Sequence, residues 1–159
     1  MLYEPIQSAI SGLSPSSSVY HGLADQAGRS PEAPAILAPG RTPLPYGRLL
    51  QHIDDVVQVL RAIGVDQHEQ VALALPNGPE MAVACLAVSA GATCAPLNPA
   101  GRAHDFAFYL SNLSIKALMI QSGIDAPARV AAQAHAIPII ELSPVAQAEA
   151  GLFTLQEPE

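Results

Sequence analysis

The sequence predicts an α/β fold: a mostly parallel, doubly wound sheet flanked by helices on both faces. Three observations predict it. Short apolar runs of strand length begin near residues 71, 93, 117 and 138, spaced 21 to 24 residues apart. The intervals between them carry helical periodicity, and apolar strands joined by helical crossovers form parallel sheets covered on both faces. No closer internal repeat is present, and the short spacing leaves no room for a large insertion.

The first 17 residues hold Ser11, Ser14, Pro15, Ser16 and Ser17 with little periodicity, and read as a flexible lead-in. Residues 18–142 read as the α/β unit and 143–159 as a tail or linker. Within the unit, Ser18 to Ala27 is predicted as a short helix, with Ser18 as its cap and Tyr20 and Leu23 on one face. Pro34 to Leu37 is a short strand, and Pro39-Gly40 turns the chain into a second extended segment at Arg41 to Leu44.

Pro45 suits a first helical turn, where its missing N–H removes no bond. Leu49, Leu50, Ile53, Val56, Val57, Leu60 and Ile63 then recur at three- and four-residue steps. Gln51, His52, Asp54, Asp55, Gln58 and Arg61 occupy the polar side. This is an amphipathic helix that ends at Gly64, a residue suited to the left-handed position after a helix.

Val71 to Leu75 is a strand closed by Pro76-Asn77-Gly78. Pro79 opens a helix through Met81–Ala90 that is apolar on nearly every side, a pattern that predicts burial all round. Thr93 to Leu97 is the next strand. Ala103 to Ser111 is a helix carrying Phe106, Tyr109 and Leu110. Ala117 to Ile120 is a strand, Ala126 to Ala134 a helix, and Ile137 to Leu142 a final strand.

Composition narrows the function. Only 13% of the 159 residues are charged, against about 25% in an ordinary soluble domain. So little charge implies a surface partly covered by a partner or a missing remainder, or else a naturally low-charge, alanine-rich one. The net charge is -7, Lys116 is the single lysine, and the six arginines are scattered. No stretch could follow a phosphodiester backbone, and an anionic membrane would be repelled, so neither nucleic acid nor membrane is expected as a partner. Cys85 and Cys94 have no metal-type spacing and read as reduced structural thiols. No signal peptide is evident and no apolar run spans a bilayer. A cytoplasmic location is expected.

Catalytic patterns are absent. Lys116 has no glycine beside it, which excludes a Walker-type phosphate loop, and no G-x-G-x-x-G follows a strand. His21, His52, His68, His104 and His135 have no paired ligand spacing. His68-Glu69 begins like a zinc-protease motif, but Ala72 stands where the second ligand belongs. His52 reads as a solvated residue of the long helix, and His104-Asp105 as a helix start. Asp54 and Asp55 are adjacent on that long helix and diverge, so they read as a solvated face. No serine sits in a G-x-S-x-G elbow. No catalytic, cofactor-binding or metal-ligating residue is assigned.

Three stretches read together carry a family resemblance. Arg41-Thr-Pro-Leu-Pro-Tyr-Gly-Arg-Leu-Leu50 resembles the first core motif of adenylate-forming enzymes, which opens a long helix. Gln70–Glu80, with its Pro-Asn turn, resembles the strand that follows. Leu86–Pro99, a buried helix ending in Ala-Gly and a strand ending in Pro-Leu-Asn-Pro, resembles the second core motif. Their order and spacing are similar to the N-terminal subdomain of AMP-forming acyl-CoA synthetases. Ala95–Ala100 with Asp105–Leu110 is most similar to the oxalate- and peroxisomal-type branch. Pro45 and Arg48 depart from the Thr and Glu usual in the first motif.

The resemblance implies a ligase that activates a carboxylate with ATP and then forms a CoA thioester, using ATP, Mg and CoA. It also implies that this chain lacks the phosphate loop and the catalytic lysine, and is inactive alone. Residues 143–159 would then lead toward a missing nucleotide-binding part, and the partners would be the remaining subdomains or a self-association partner. The alternative is a free-standing, non-catalytic binding or oligomerisation module with the same fold. Tyr46, Asn77 and Asn98 are the polar members of the matching motifs. Their expected roles are structural, as a helix-face anchor and turn residues.

Overall fold

The computed structural model describes residues 18–124, 127–156 and 158. The predicted lead-in, residues 1–17, and Ala126 lie outside the described residues. The helices are α1 (Val19–Arg29), α2 (Tyr46–Ala62), α3 (Pro79–Gly91), α4 (Ala103–Asn112) and α5 (Pro127–Ala134). The strands are β1 (Pro34–Ile36), β2 (Leu44–Pro45), β3 (Gln70–Ala74), β4 (Thr93–Pro96), β5 (Ile115–Gln121), β6 (Ile139–Pro144) and β7 (Phe153–Gln156).

Strands β1 and β2 form a small antiparallel pair. The main sheet has the order β4-β3-β5-β6-β7, with β4, β3, β5 and β6 mutually parallel. Successive residues alternate between its faces, as the two-residue strand period requires. Val71 and Leu73 of β3 and Met119 of β5 join a core with α2 and α3. Ala72 and Ala74 of β3 and Leu118 and Ile120 of β5 join a second core with α4 and α5. The predicted helix-flanked, mostly parallel sheet is thus the observed one.

Helix α2 follows its pattern closely. It buries Leu49, Ile53, Val56, Val57 and Leu60. Gly64 then takes φ 81°, a conformation that glycine adopts without steric cost. The Val65 N–H donates to the Leu60 carbonyl (2.9 Å) and the Gly64 N–H to that of Arg61 (3.0 Å). This closes a Schellman motif. At the other end Pro45 provides no side-chain cap.

Two predictions are corrected. Helix α3 is not buried all round: Val83, Ala84, Ala87 and Val88 are enclosed, but Ala82 and Ser89 are exposed. Only alanine and serine are exposed on that open side, with Cys85 and Leu86 half-buried between them, and small residues leave little apolar surface to hide.

Residues 143–159 are not simply a tail. Ser143 and Pro144 complete β6, and β7 adds an antiparallel edge strand in the register Glu141↔Gln156 to Pro144↔Phe153. Ala150, Leu152 and Phe153 are buried between them and the α2/α3 side. The strap from Val145 to Leu152 is anchored where the Ala150 N–H donates to the Thr42 carbonyl (2.8 Å). Gly151 has φ 90°, and a Cβ there would lie 2.6 Å from Val83 Cγ2 and 3.0 Å from the Pro79 carbonyl oxygen. Only glycine lets the strap lie this close to α3. Among the described residues no helix is long and apolar enough to cross a membrane.

Candidate functional site

The topology singles out one end of the sheet. From β3 the chain leaves through α3 toward β4, whereas from β5 it leaves through α5 toward β6, in the opposite direction. The connections that leave the neighbouring strands β3 and β5 at their carboxyl ends therefore run apart, although the strands stay paired to Ala74↔Ile120. Such a switch point opens a crevice where α/β sheets bind ligands. The turn after β3, the loop after β4 and the segment from Ser122 all lie at this end. The start of α2 does too, because the far end of α2 feeds the amino end of β3.

Tyr46, Asn77 and Asn98 are thereby brought to one end of the fold. Tyr46 is the half-buried first residue of α2, and its N–H donates to the Ala33 carbonyl (3.0 Å). Asn77 is exposed in the turn between β3 and α3. Asn98 Oδ1 accepts the Ala100 N–H (3.0 Å), and its carbonyl accepts the Gly101 N–H (3.0 Å). That is an Asx turn, so the Asn98 side chain shapes its own loop. Among the described residues no hydrogen bond joins the three side chains to one another.

The strongest polar construction here is one that the sequence reading passed over. Arg41 Nη1 donates to Glu80 Oε1 at 3.2 Å, both side chains only about a fifth exposed (21% and 17%). Arg41 Nη2 donates to the carbonyls of Val145 (3.0 Å), Ala148 (3.4 Å) and Glu149 (3.2 Å). One guanidinium thus ties the first helical turn of α3 to the strap before β7. Its partners lie 39 to 108 residues away, so no local pattern could reveal it.

Other polar residues also differ from expectation. His52 is not solvated. Its ring meets Phe153 of β7 edge-on, with centroids 4.5 Å apart, and Nε2 is buried without a hydrogen-bond partner among the described residues. Burial pushes its pKa down and Arg48 adds to the shift, against an upward pull from Asp55. Asp54 is likewise engaged, accepting the Tyr20 hydroxyl at 2.8 Å and so joining α1 to α2. That hydrogen bond is the main reason the Tyr20 pKa is raised, with burial and the Asp54 charge adding to it. The helix-start reading of Asp105 agrees with its Oδ2 accepting the Arg102 N–H (2.9 Å).

At the opposite end of the sheet, beside α5, lies an open groove of about 810 Å³ lined by Arg129, Gln133, Ile137, Glu141 and Gln156. Its two charged side chains neutralise each other, Arg129 Nη2 donating to Glu141 Oε1 at 2.8 Å.

A family model described as AMP-binding enzyme matches residues 23–157. The chain belongs to that family. Among curated members of the AMP-binding enzymes, a probable CoA ligase, CCL9, from Humulus lupulus is 43% identical over 100 residues, covering 62% of this chain and 19% of the relative. An oxalate–CoA ligase from Arabidopsis thaliana is 36% identical over 112 residues, covering 69% of this chain and 22% of that protein. The chain thus spans about a fifth of the length of these relatives.

Solved structures agree on the fold. Apo MatB from Rhodopseudomonas palustris superimposes with a TM-score of 0.69 at 20% identity, over 88% of this chain and 30% of that one. A benzoate CoA ligase from Burkholderia xenovorans LB400 gives 0.70 at 18% identity, over 81% and 26%. The N-terminal domain of FACL13 from Mycobacterium tuberculosis gives 0.67 at 20% identity, over 80% and 34%. The predicted subdomain is therefore the one observed.

Within these residues the fit to a nucleotide is poor. The exposed loops at the carboxyl end offer Asn77, Asn98 and Arg102 but no lysine and no glycine-rich turn, and Arg41 is already committed to Glu80 and three carbonyls. Among the described residues no group of three or more His, Cys, Asp and Glu side chains could hold a metal ion. No phosphate or Mg step is assigned to them.

Proposed function

We propose that this chain is the N-terminal scaffold of an AMP-forming acyl-CoA synthetase. The full reaction would join a carboxylate to the α-phosphate of ATP, release pyrophosphate, and pass the acyl group to the CoA thiol. Such chemistry depends on positioning and on stabilising phosphate charge. The 159 residues hold neither a glycine-rich phosphate loop nor a Pro-Lys-Gly sequence. Their contribution is to hold one wall of a site at the carboxyl ends of β3 and β5, and the remaining subdomains are the partners that complete it. A cytoplasmic setting suits its unpaired cysteines.

The observation that carries this reading is the family match over residues 23–157, together with 36% identity to an oxalate–CoA ligase. The test is carboxylate-dependent ATP–pyrophosphate exchange on two proteins. One is the isolated chain; the other is a chimera in which residues 18–156 replace the matching segment of the Arabidopsis oxalate–CoA ligase. We expect no exchange from the first and exchange from the second. A folded but inert chimera, or exchange by the isolated chain, contradicts the proposal.

A further inference from the structure

Two cysteines that the fold and the proposed chemistry leave unused stand together at one edge of the sheet. Cys85 lies on α3 and Cys94 on β4, which is the outer strand. Both are free and half-buried. Residues of β4 alternate between faces, and Cys94 packs with the α2/α3 core whereas Ala95 packs with the other. The Cys94 thiol therefore faces the helix that carries Cys85, which packs against the same core and is its interacting neighbour. Ser89, one helical turn after Cys85, is exposed to solvent. Two thiols thus share the edge of the sheet where α3 opens to water.

We propose that Cys85 and Cys94 are a redox-active dithiol that a low-molecular-weight disulfide such as oxidised glutathione converts to an intramolecular disulfide between α3 and β4. The order of events follows from the two environments. Burial, and then the neighbouring Cys85, push the Cys94 thiol up to about 12, so Cys94 stays protonated. Cys85 is the attacking group. Its thiolate displaces one glutathione from the oxidant and forms a mixed disulfide. Cys94 then gives its proton to solvent and attacks the Cys85 sulfur, expelling the second glutathione. Two protein thiols are oxidised, one external disulfide is reduced, and the two protons end on two glutathione thiols.

The bond would close a loop from Cys85 to Cys94 and fasten an edge strand to its covering helix. In a reducing compartment such a bond is transient, as expected of a regulatory thiol pair.

The test uses the whole chain. After equilibration with oxidised glutathione, remaining thiols are alkylated and the protein is digested with trypsin. No lysine or arginine lies between Arg61 and Arg102, so both cysteines fall in one peptide. We expect that peptide to lose the mass of two hydrogens and to escape alkylation. The oxidised protein should melt roughly 5–10 °C above the reduced one. Cys94→Ser should stop at a stable mixed disulfide on Cys85, and Cys85→Ser should leave Cys94 unmodified. Full alkylation of both thiols in the wild type, accumulation of the mixed disulfide there, or a disulfide-linked dimer in its place overturns the proposal. The wild-type peptide decides this even if a variant fails to fold.

Discussion

The two faces of the sheet are built by different means. On one, α2 and α3 press leucine, isoleucine and valine against β3, β5 and β6, and the strap with Phe153 seals the margin. On the other, α4 and α5 meet a smaller core in which Ala72, Ala74, Ala128, Ala131 and Ala132 surround Leu110, Ile115, Leu118 and Ile120, with Phe106 the one aromatic ring among its buried residues. Among the described residues that second face carries no strap, and the groove beside Arg129 and Glu141 opens where α5 stops covering β6 and β7. Large side chains spread stability over many contacts. An alanine face lets helices lie close but concentrates its apolar area in a few residues.

The contrast is most easily broken at Phe106. Phe106→Ala is expected to cost about 3–5 kcal/mol. Ile53→Ala, on the well-filled face, is expected to cost less within the usual range of about 2–5 kcal/mol. Urea unfolding of both variants checks the order, and the reverse order would show that the alanine face is not the fragile one.

The strap gives the next largest effect. Gly151→Ala forces a Cβ against Val83 and the Pro79 carbonyl at positive φ, with an expected loss of about 2–3 kcal/mol. If its urea midpoint equals that of the wild type, the strap contributes nothing to sealing that face. Ala132→Leu probes the tight fit of α5 and should destabilise by about 1–3 kcal/mol through overpacking, whereas a neutral result would mean slack on that side.

The smallest effect concerns His52 beneath Phe153. Its folded pKa lies below the ordinary value, so the unfolded state binds the proton first as pH falls. Stability is then full above the unfolded pKa of about 6.5 and declines as pH drops through it toward the lowered folded value. The unfolding free energy of His52→Phe, followed across that window, should show a weaker decline than the wild type. Parallel curves would contradict the packed, neutral histidine.

Much of this architecture was legible in the chain. The steps from Leu49 to Ile63 identified α2, and the apolar runs at Val71, Thr93, Ala117 and Ile137 identified the parallel strands. Neighbouring residues suffice for such patterns. Strand β7 was not legible, because four residues with one buried ring carry little periodicity and its pairing with β6 is set by tertiary structure. That omission propagated. Without β7, His52 had nothing to cover it and was assigned to solvent. Without the strap, Arg41 was one more scattered arginine. At the candidate site the motifs supplied Tyr46, Asn77 and Asn98 with structural roles expected, and the Asx turn at Asn98 suits a turn residue. The clamp at Arg41 and Glu80 depended on contacts that no local spacing encodes.

Calorimetric titration of the isolated 159-residue chain with Mg-ATP tests most directly whether it is scaffold rather than nucleotide site. The account predicts no saturable binding at micromolar nucleotide, because the 159 residues hold no glycine-rich phosphate loop and no Pro-Lys-Gly sequence. A saturable, stoichiometric heat in that range would contradict it.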